Sequence, residues 1–336
     1  MFYHSFPPKT PSFVTLFITT KCNMSCRHCF VRGKSIRGDG DLSVDVVGKV
    51  IASLKGRAHI MLTGGEPFLS GEIEDIVSLL QRSDKVASIL VCTNGALSGA
   101  INDFCLTLQK YIKKPTTLQL SLEGLGATHD SIRGYQGAFQ QFEKTAGLVQ
   151  KICSLQPLLR YMVNTTIAKH NIHELQSLID YFKRAGFPFC IAALRGNEFS
   201  LFGLDGSLKE PDYNPQEGLI FDLSVAFKAL DILRLNADSV GKGTLRLFRI
   251  FCDTLRRKKR AVNCCAGYQN AVIYANGDIG FCEQVKPFGN LAKWGWDVSA
   301  AWGSPEAKTL REGTRRCACI DGCVLDRSLH KHNVVR

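Results

Sequence analysis

Three cysteines stand within eight residues of one another, in Cys22-Asn-Met-Ser-Cys26-Arg-His-Cys29. Thiolates this close on one loop can converge on a single inorganic centre, and their number decides which. Structural zinc takes four closed ligands, typically supplied as two separated pairs. This loop has three and no local fourth, since His28 points elsewhere if both its neighbours ligate. Ordinary [4Fe–4S] clusters are held by four cysteines. Three thiolates on such a cluster leave one iron open, which is a place for a substrate or cofactor to bind.

A second group lies near the other end: Cys264, Cys265, Cys282, Cys317, Cys319 and Cys323. Asn276-Gly277 is a hairpin signal that brings Cys282 back toward Cys264. A four-thiolate zinc site and a four-thiolate iron–sulfur cluster both fit these residues. The two groups hold nine of the 14 cysteines. The other five (Cys92, Cys105, Cys153, Cys190, Cys252) are scattered through apolar surroundings and read as packing residues.

The elements that must position these groups alternate. Apolar runs expected as strands are Phe13–Thr20, His59–Gly64, Ser88–Thr93, Thr117–Leu122, Leu159–Thr166 and Phe189–Leu194. Helical periodicity fills the intervals: Ser43–Leu54, Gly71–Gln81, Ala100–Tyr111, Ala138–Lys151 and His173–Arg184, with a further helix over Glu217–Leu235. Ser43 is the expected N-cap of the first helix and Gly186 the C-cap of the fifth. Six β/α repeats fall short of a closed eight-fold barrel, so the expected fold is α/β, a partial (β/α)6 TIM-like barrel with a small C-terminal domain. In such sheets chemistry gathers at the carboxyl ends of the strands. The expected boundaries are an extension over 1–12, the barrel over 13–235, a basic connector over 236–263, a cysteine-rich domain over 264–325 and a tail over 326–336. Residues 197–215 read as a long irregular loop able to cover a substrate.

Composition bounds the function. The chain has 336 residues, 45% hydrophobic and 21% charged, which excludes global disorder and collagen-like repeats. No run approaches the ~18–20 apolar residues of a membrane-spanning helix, and no signal peptide is evident at the N-terminus; a cytoplasmic location is the expectation. A secreted disulfide scaffold would be far shorter. Of the net charge of +12, residues 241–336 carry 17 Lys and Arg against 8 Asp and Glu. Arg256-Arg257-Lys258-Lys259-Arg260 reads as a solvated helix end before a linker; an RNA or anionic-substrate contact is the alternative.

The Cys22/Cys26/Cys29 spacing after a first strand resembles the C-x3-C-x2-C loop of the radical S-adenosylmethionine (radical SAM) superfamily. Thr63-Gly64-Gly65-Glu66-Pro67 resembles its GGEP motif, where glycines allow close approach and a carboxylate meets the ammonium of SAM. Cys92-Thr93-Asn94-Gly95 ends the third strand as in the family. Ser121-Leu122-Glu123-Gly124 with His129-Asp130-x-x-Arg133-Gly134 resembles the family's S-[IL]-D-G…H-D-x-x-R-G stretch, with Glu123 where Asp is more usual. Ala193-Leu194-Arg195 resembles the sixth-strand end that contacts adenine or substrate. The resemblance implies a [4Fe–4S] cluster on Cys22, Cys26 and Cys29. It also implies SAM bound by Gly64, Gly65, Glu66, Asn94, Ser121, Arg133 and Leu194. Glu123 and Arg195 are the candidates for catalytic work, with Glu283 beside the second centre.

The second cysteine group is similar to the SPASM or truncated twitch extensions of the same superfamily, with Cys264-x-Ala-Gly267 and Asn276-Gly277-Asp278-x3-Cys282 in register. The resemblance implies one auxiliary [4Fe–4S] cluster held by Cys264, Cys282, Cys319 and Cys323, with Cys265 and Cys317 as alternates. An electron-accepting or relaying role follows from it. The implied activity is reductive cleavage of SAM, fed by a one-electron donor such as flavodoxin or ferredoxin. A hydrogen atom is then abstracted from a small polar metabolite. A peptide-modifying maturase is the alternative, weakened by the start of the chain about a dozen residues before the first strand. RNA modification and a non-enzymatic metal-cluster protein are the further readings.

Overall fold

A computed structural model describes residues 9–29, 40–196, 201–210, 219–322 and 325. Six strands run in parallel and in chain order across one sheet: β1 (Phe13–Thr19), β2 (Ala58–Gly64), β3 (Val86–Thr93), β4 (Thr116–Ser121), β5 (Leu159–Ile167) and β6 (Phe189–Ala193). Helices α1 (Val44–Ala52), α2 (Ile73–Arg82), α3 (Ser98–Leu108), α4 (Ala127–Arg133), α5 (Ala138–Cys153) and α6 (Leu175–Ala185) fill the crossovers. β1 is buried at six of its seven positions, as a parallel strand covered on both faces must be. Ser43 caps α1 by accepting from Val46 N, and Gly186 closes α6 in the left-handed region at φ 66°. β6 is an edge, so the barrel is partial, as the repeat count implies. Neighbouring strand ends therefore deliver their loops to one rim.

The C-terminal segment, expected as a small cysteine-rich domain, continues the barrel sheet. β8 (Asn270–Ile273) pairs in parallel with β1, and β9 (Asp278–Gly280) and β10 (Gly289–Asn290) continue antiparallel, giving one nine-stranded sheet. Ile273, Ile279, Leu291 and Val298 pack in the same core as β1–β4. Short helices α9 (Val298–Trp302) and α10 (Pro305–Gly313) follow, and β11 (Ala318–Cys319) pairs with β7 (Leu201–Phe202). The described part of the expected irregular loop is thus stitched to the cysteine-rich end; Glu210 N also donates to Gln284 O at 3.1 Å.

Residues 236–263 are not a connector. After α7 (Leu223–Leu235), α8 runs from Ala237 to Arg257, kinked at Gly241, and buries Leu247, Phe248, Phe251, Cys252 and Leu255. Phe251 sits edge-on to Phe248 and Phe221. The charged residues around this stripe lie on the opposite face, which is why composition alone misled. The basic run closes the helix, with Lys258 at φ 50°. Arg256 pairs with Asp253 at 2.7 Å, and Arg260 donates to Cys317 O at 2.7 Å. Among the described residues no helix is long and apolar enough to cross a membrane.

Candidate functional site

The loop after β1 is docked by its backbone on the ends of β2 and α4, and by Asn23 on the end of β3. Gly65 N donates to Thr19 O and Glu66 N to Lys21 O, at 2.9 and 2.7 Å. Ser25 N and Arg27 N donate to Arg133 O and Ile132 O, at 3.1 and 2.8 Å. Asn94 Nδ2 reaches Asn23 Oδ1 at 2.8 Å. Gly64 (φ 141°) and Gly65 have no room for a side chain, because a Cβ on either would collide with the carbonyl of Thr19 or Lys21. The close approach that requires these glycines is therefore made by the cysteine loop itself. Cys22 is exposed and Cys26 and Cys29 half-buried. Cys29 packs near Phe17, Val272 and Tyr274, beside β8.

Glu66 is fully buried. Its Oε1 accepts from Thr93 Oγ1 at 2.7 Å and Phe68 N at 3.3 Å, and its Oε2 from Asn94 N at 2.7 Å. Burial pushes its carboxyl up to about 6, with these donors acting the other way. The carboxylate fastens the GGEP turn to the end of β3. That geometry differs from a free carboxylate presented to an ammonium.

At the end of β4, Glu123 is buried against the buried Arg133, with Arg133 Nη2 at 2.8 Å from Glu123 Oε1. Glu123 Oε2 accepts from Thr166 N at 2.6 Å, and His28 Nε2 lies 3.7 Å from Oε1. Arg133 Nη1 is 3.5 Å from Cys26 Sγ. Burial raises the Glu123 carboxyl above its ordinary value, against the pull of Arg133. Burial together with the nearby Arg133 charge lowers His28 well below its ordinary value and His129 to about 2. His129 is therefore neutral at physiological pH, and its Nδ1 accepts from Glu123 N at 3.0 Å. Spacing did not reveal Asn171, whose Nδ2 clamps Glu123 O and Thr166 O at 2.8 and 2.9 Å.

The residues fit the groups that the motifs imply. Three thiols share one loop beside a guanidinium that balances thiolate charge. Arg133 Nε and His129 Nε2 are buried with no hydrogen-bond partner among the described residues, polar atoms that a bound cofactor can satisfy. Asn94, Ser121 and Leu194 stand at or just past the ends of β3, β4 and β6, on the same rim.

Cys264, Cys282, Cys317 and Cys319 line one cavity of about 380 Å³. Cys265 is not among the lining residues; it is fully buried in the small core with Ala271, Phe281 and Trp302. Cys323 lies outside the described residues. Burial raises the Cys264 and Cys282 thiols, whereas the Cys317 thiol donates to Cys319 and lowers it. Among the described residues no three Cys, His, Asp or Glu side chains converge on one metal ion. Arg195 links the rim to this cavity through Asp321 and through Glu283 Oε1 at 3.6 Å. Its guanidinium is engaged by both carboxylates, at the junction between the two centres.

The model of the radical SAM superfamily matches residues 16–182. An AdoMet-dependent heme synthase of Nitratidesulfovibrio vulgaris is 25% identical over 176 residues, covering 50% of this chain and 44% of its own. The antilisterial bacteriocin subtilosin biosynthesis protein AlbA of Bacillus subtilis is 23% identical over 278 residues, covering 81% of this chain and 55% of its own. The chain spans about half the length of the curated relatives it matches. The solved structure of native anSMEcpe with bound AdoMet has the same fold, with a TM-score of 0.63 and 17% identity, over 88% of this chain and 82% of that one.

Proposed function

Because residues 16–182 belong to the radical SAM superfamily, we propose that the chain is an enzyme that cleaves SAM reductively and abstracts a hydrogen atom from a small polar metabolite. When bound, a [4Fe–4S] cluster with one open iron and SAM would supply a 5′-deoxyadenosyl radical. The chain's part is to hold and orient. Cys22, Cys26 and Cys29 would hold that cluster. Gly64, Gly65, Asn94, Ser121, Arg133 and Leu194 form the rim on which SAM would lie, and Glu66 keeps that rim rigid. The observation that carries the reading is the docking of the three-cysteine loop onto the ends of β2 and β3 and the end of α4, where Arg133 Nε and His129 Nε2 are buried with no partner among the described residues.

Cys264, Cys282, Cys317 and Cys319 would hold a twitch- or SPASM-type auxiliary [4Fe–4S] cluster, with Cys323 as the alternative fourth ligand. Its role would be to take up or relay the second electron, and the partner reductant would be a one-electron carrier such as flavodoxin or ferredoxin. A peptide substrate is the second reading. It is favoured by the match to a bacteriocin biosynthesis protein, which covers 81% of this chain. Anaerobic reconstitution followed by an assay for 5′-deoxyadenosine tests the activity: wild type forms it, and Cys22→Ala, Cys26→Ala or Cys29→Ala abolishes it. Stimulation by the dialysable fraction of a cell extract supports the metabolite reading; stimulation only by the retained peptide fraction replaces it. Wild type without 5′-deoxyadenosine under reducing conditions overturns both.

A further inference from the structure

Cys26 has a charged neighbour held with little freedom. Arg133 is 6% exposed, with one arm of its guanidinium 3.5 Å from Cys26 Sγ and the other 2.8 Å from Glu123 Oε1. Glu123 is fixed in turn by Thr166 N at 2.6 Å. The loop is fixed too, since Gly134 (φ 60°) sits so close to Ser25 that a Cβ there would lie 2.7 Å from Ser25 O. The distance from guanidinium to sulfur is thus set from both sides. An arginine guanidinium keeps its charge throughout the physiological range.

We propose that Arg133 is a positioning residue that sets the reduction potential of the cluster on Cys22, Cys26 and Cys29, with Glu123 limiting how much of its charge Cys26 feels. The inference rests on reading those cysteines as cluster ligands. One-electron reduction adds negative charge to a cluster and its thiolates. An N–H donor with a full positive charge on Sγ stabilises that reduced state, and hydrogen bonds to cluster sulfurs are a recognised control of potential. If roughly half the strength of such a charge-assisted hydrogen bond in a dry site is differential between redox states, its loss shifts the one-electron equilibrium by up to about tenfold, or ~59 mV. Glu123 acts oppositely: it offsets the cation, so neutralising it leaves Arg133 more strongly felt.

The test is a potentiometric titration of the anaerobically reconstituted full chain with dithionite, read by EPR without SAM. The second cluster serves as internal control. Arg133→Gln is expected to lower the N-terminal cluster's potential by the tenfold shift in equilibrium. Glu123→Gln is expected to raise it by a few-fold shift, and both leave the second cluster unmoved. Opposite signs separate this from structural damage, which has no reason to reverse. Where Arg133→Gln does not fold, the Glu123→Gln shift decides alone. Unmoved potentials, or a fall in Glu123→Gln, overturn the inference. A first-cluster signal that persists in the variant with Cys22→Ala, Cys26→Ala and Cys29→Ala overturns the underlying ligand reading instead.

Discussion

Replacing Glu66 by Gln separates two effects that wild type combines. The folded carboxyl titrates at about 6 against an ordinary value of 4.5, and 1.36 kcal/mol per unit gives about 2 kcal/mol. The sign follows from proton binding. Between about pH 4.5 and 6 the folded chain keeps a proton that the unfolded chain has lost, so stability falls as pH rises through that window. Glu66→Gln removes this contribution. The amide oxygen can still accept from Asn94 N, and the Thr93 hydroxyl can turn to accept from the amide. Phe68 N and the second amide hydrogen then face each other without an acceptor, at a combined cost of about 1–3 kcal/mol. At neutral pH the two effects nearly cancel, and the variant should lie within about 1 kcal/mol of wild type. At pH 4 it should be less stable by roughly 1–3 kcal/mol, because the wild-type carboxyl is protonated there. Urea unfolding midpoints, measured anaerobically at both values with unchanged m, give the comparison. A difference between the two proteins that is independent of pH would show that the Glu66 carboxyl does not titrate differently in the folded and unfolded chains. A variant several kcal/mol less stable at neutral pH would contradict the near-cancellation.

Cys265→Ala should retain about eight irons per chain, four for each cluster, whereas Cys317→Ala should lose about half of them; iron analysis after anaerobic reconstitution checks both. Phe251→Ala should destabilise by about 3–5 kcal/mol, since that ring is fully buried between Phe248 and Phe221. Lys259→Ala, in the same basic run, should stay within about 0.5 kcal/mol. Urea unfolding measures this pair.

The barrel was legible because buried parallel strands are apolar runs bounded by turns. Phe13–Thr19, Ala58–Gly64 and Leu159–Ile167 lie within a residue or two of their expected limits. The placement of the three-cysteine loop was legible for the same reason, since it follows a strand whose end is visible. α8 was missed although its pattern is in the sequence. Leu247, Phe248, Phe251 and Leu255 follow the 3.6-residue period, but basic residues on the other face dominate the count. The pairing of β8 with β1 joins residues 13–16 to 270–273, and no local signal carries a contact of that separation. The same holds for Arg133 on Cys26 and Arg195 on Asp321, which depend on tertiary placement. Glu66 shows a different limit of motif reading: its type and position were visible, but the three donors that occupy it were not.

On the reading proposed above, Cys22, Cys26 and Cys29 hold a cluster with one iron left for SAM. EPR of the reduced, anaerobically reconstituted chain, recorded with and without SAM, addresses that iron directly. SAM is expected to change the N-terminal cluster's spectrum and to leave the second cluster's spectrum alone. Identical spectra with saturating SAM, or zinc in place of iron on those three thiolates, would contradict that reading.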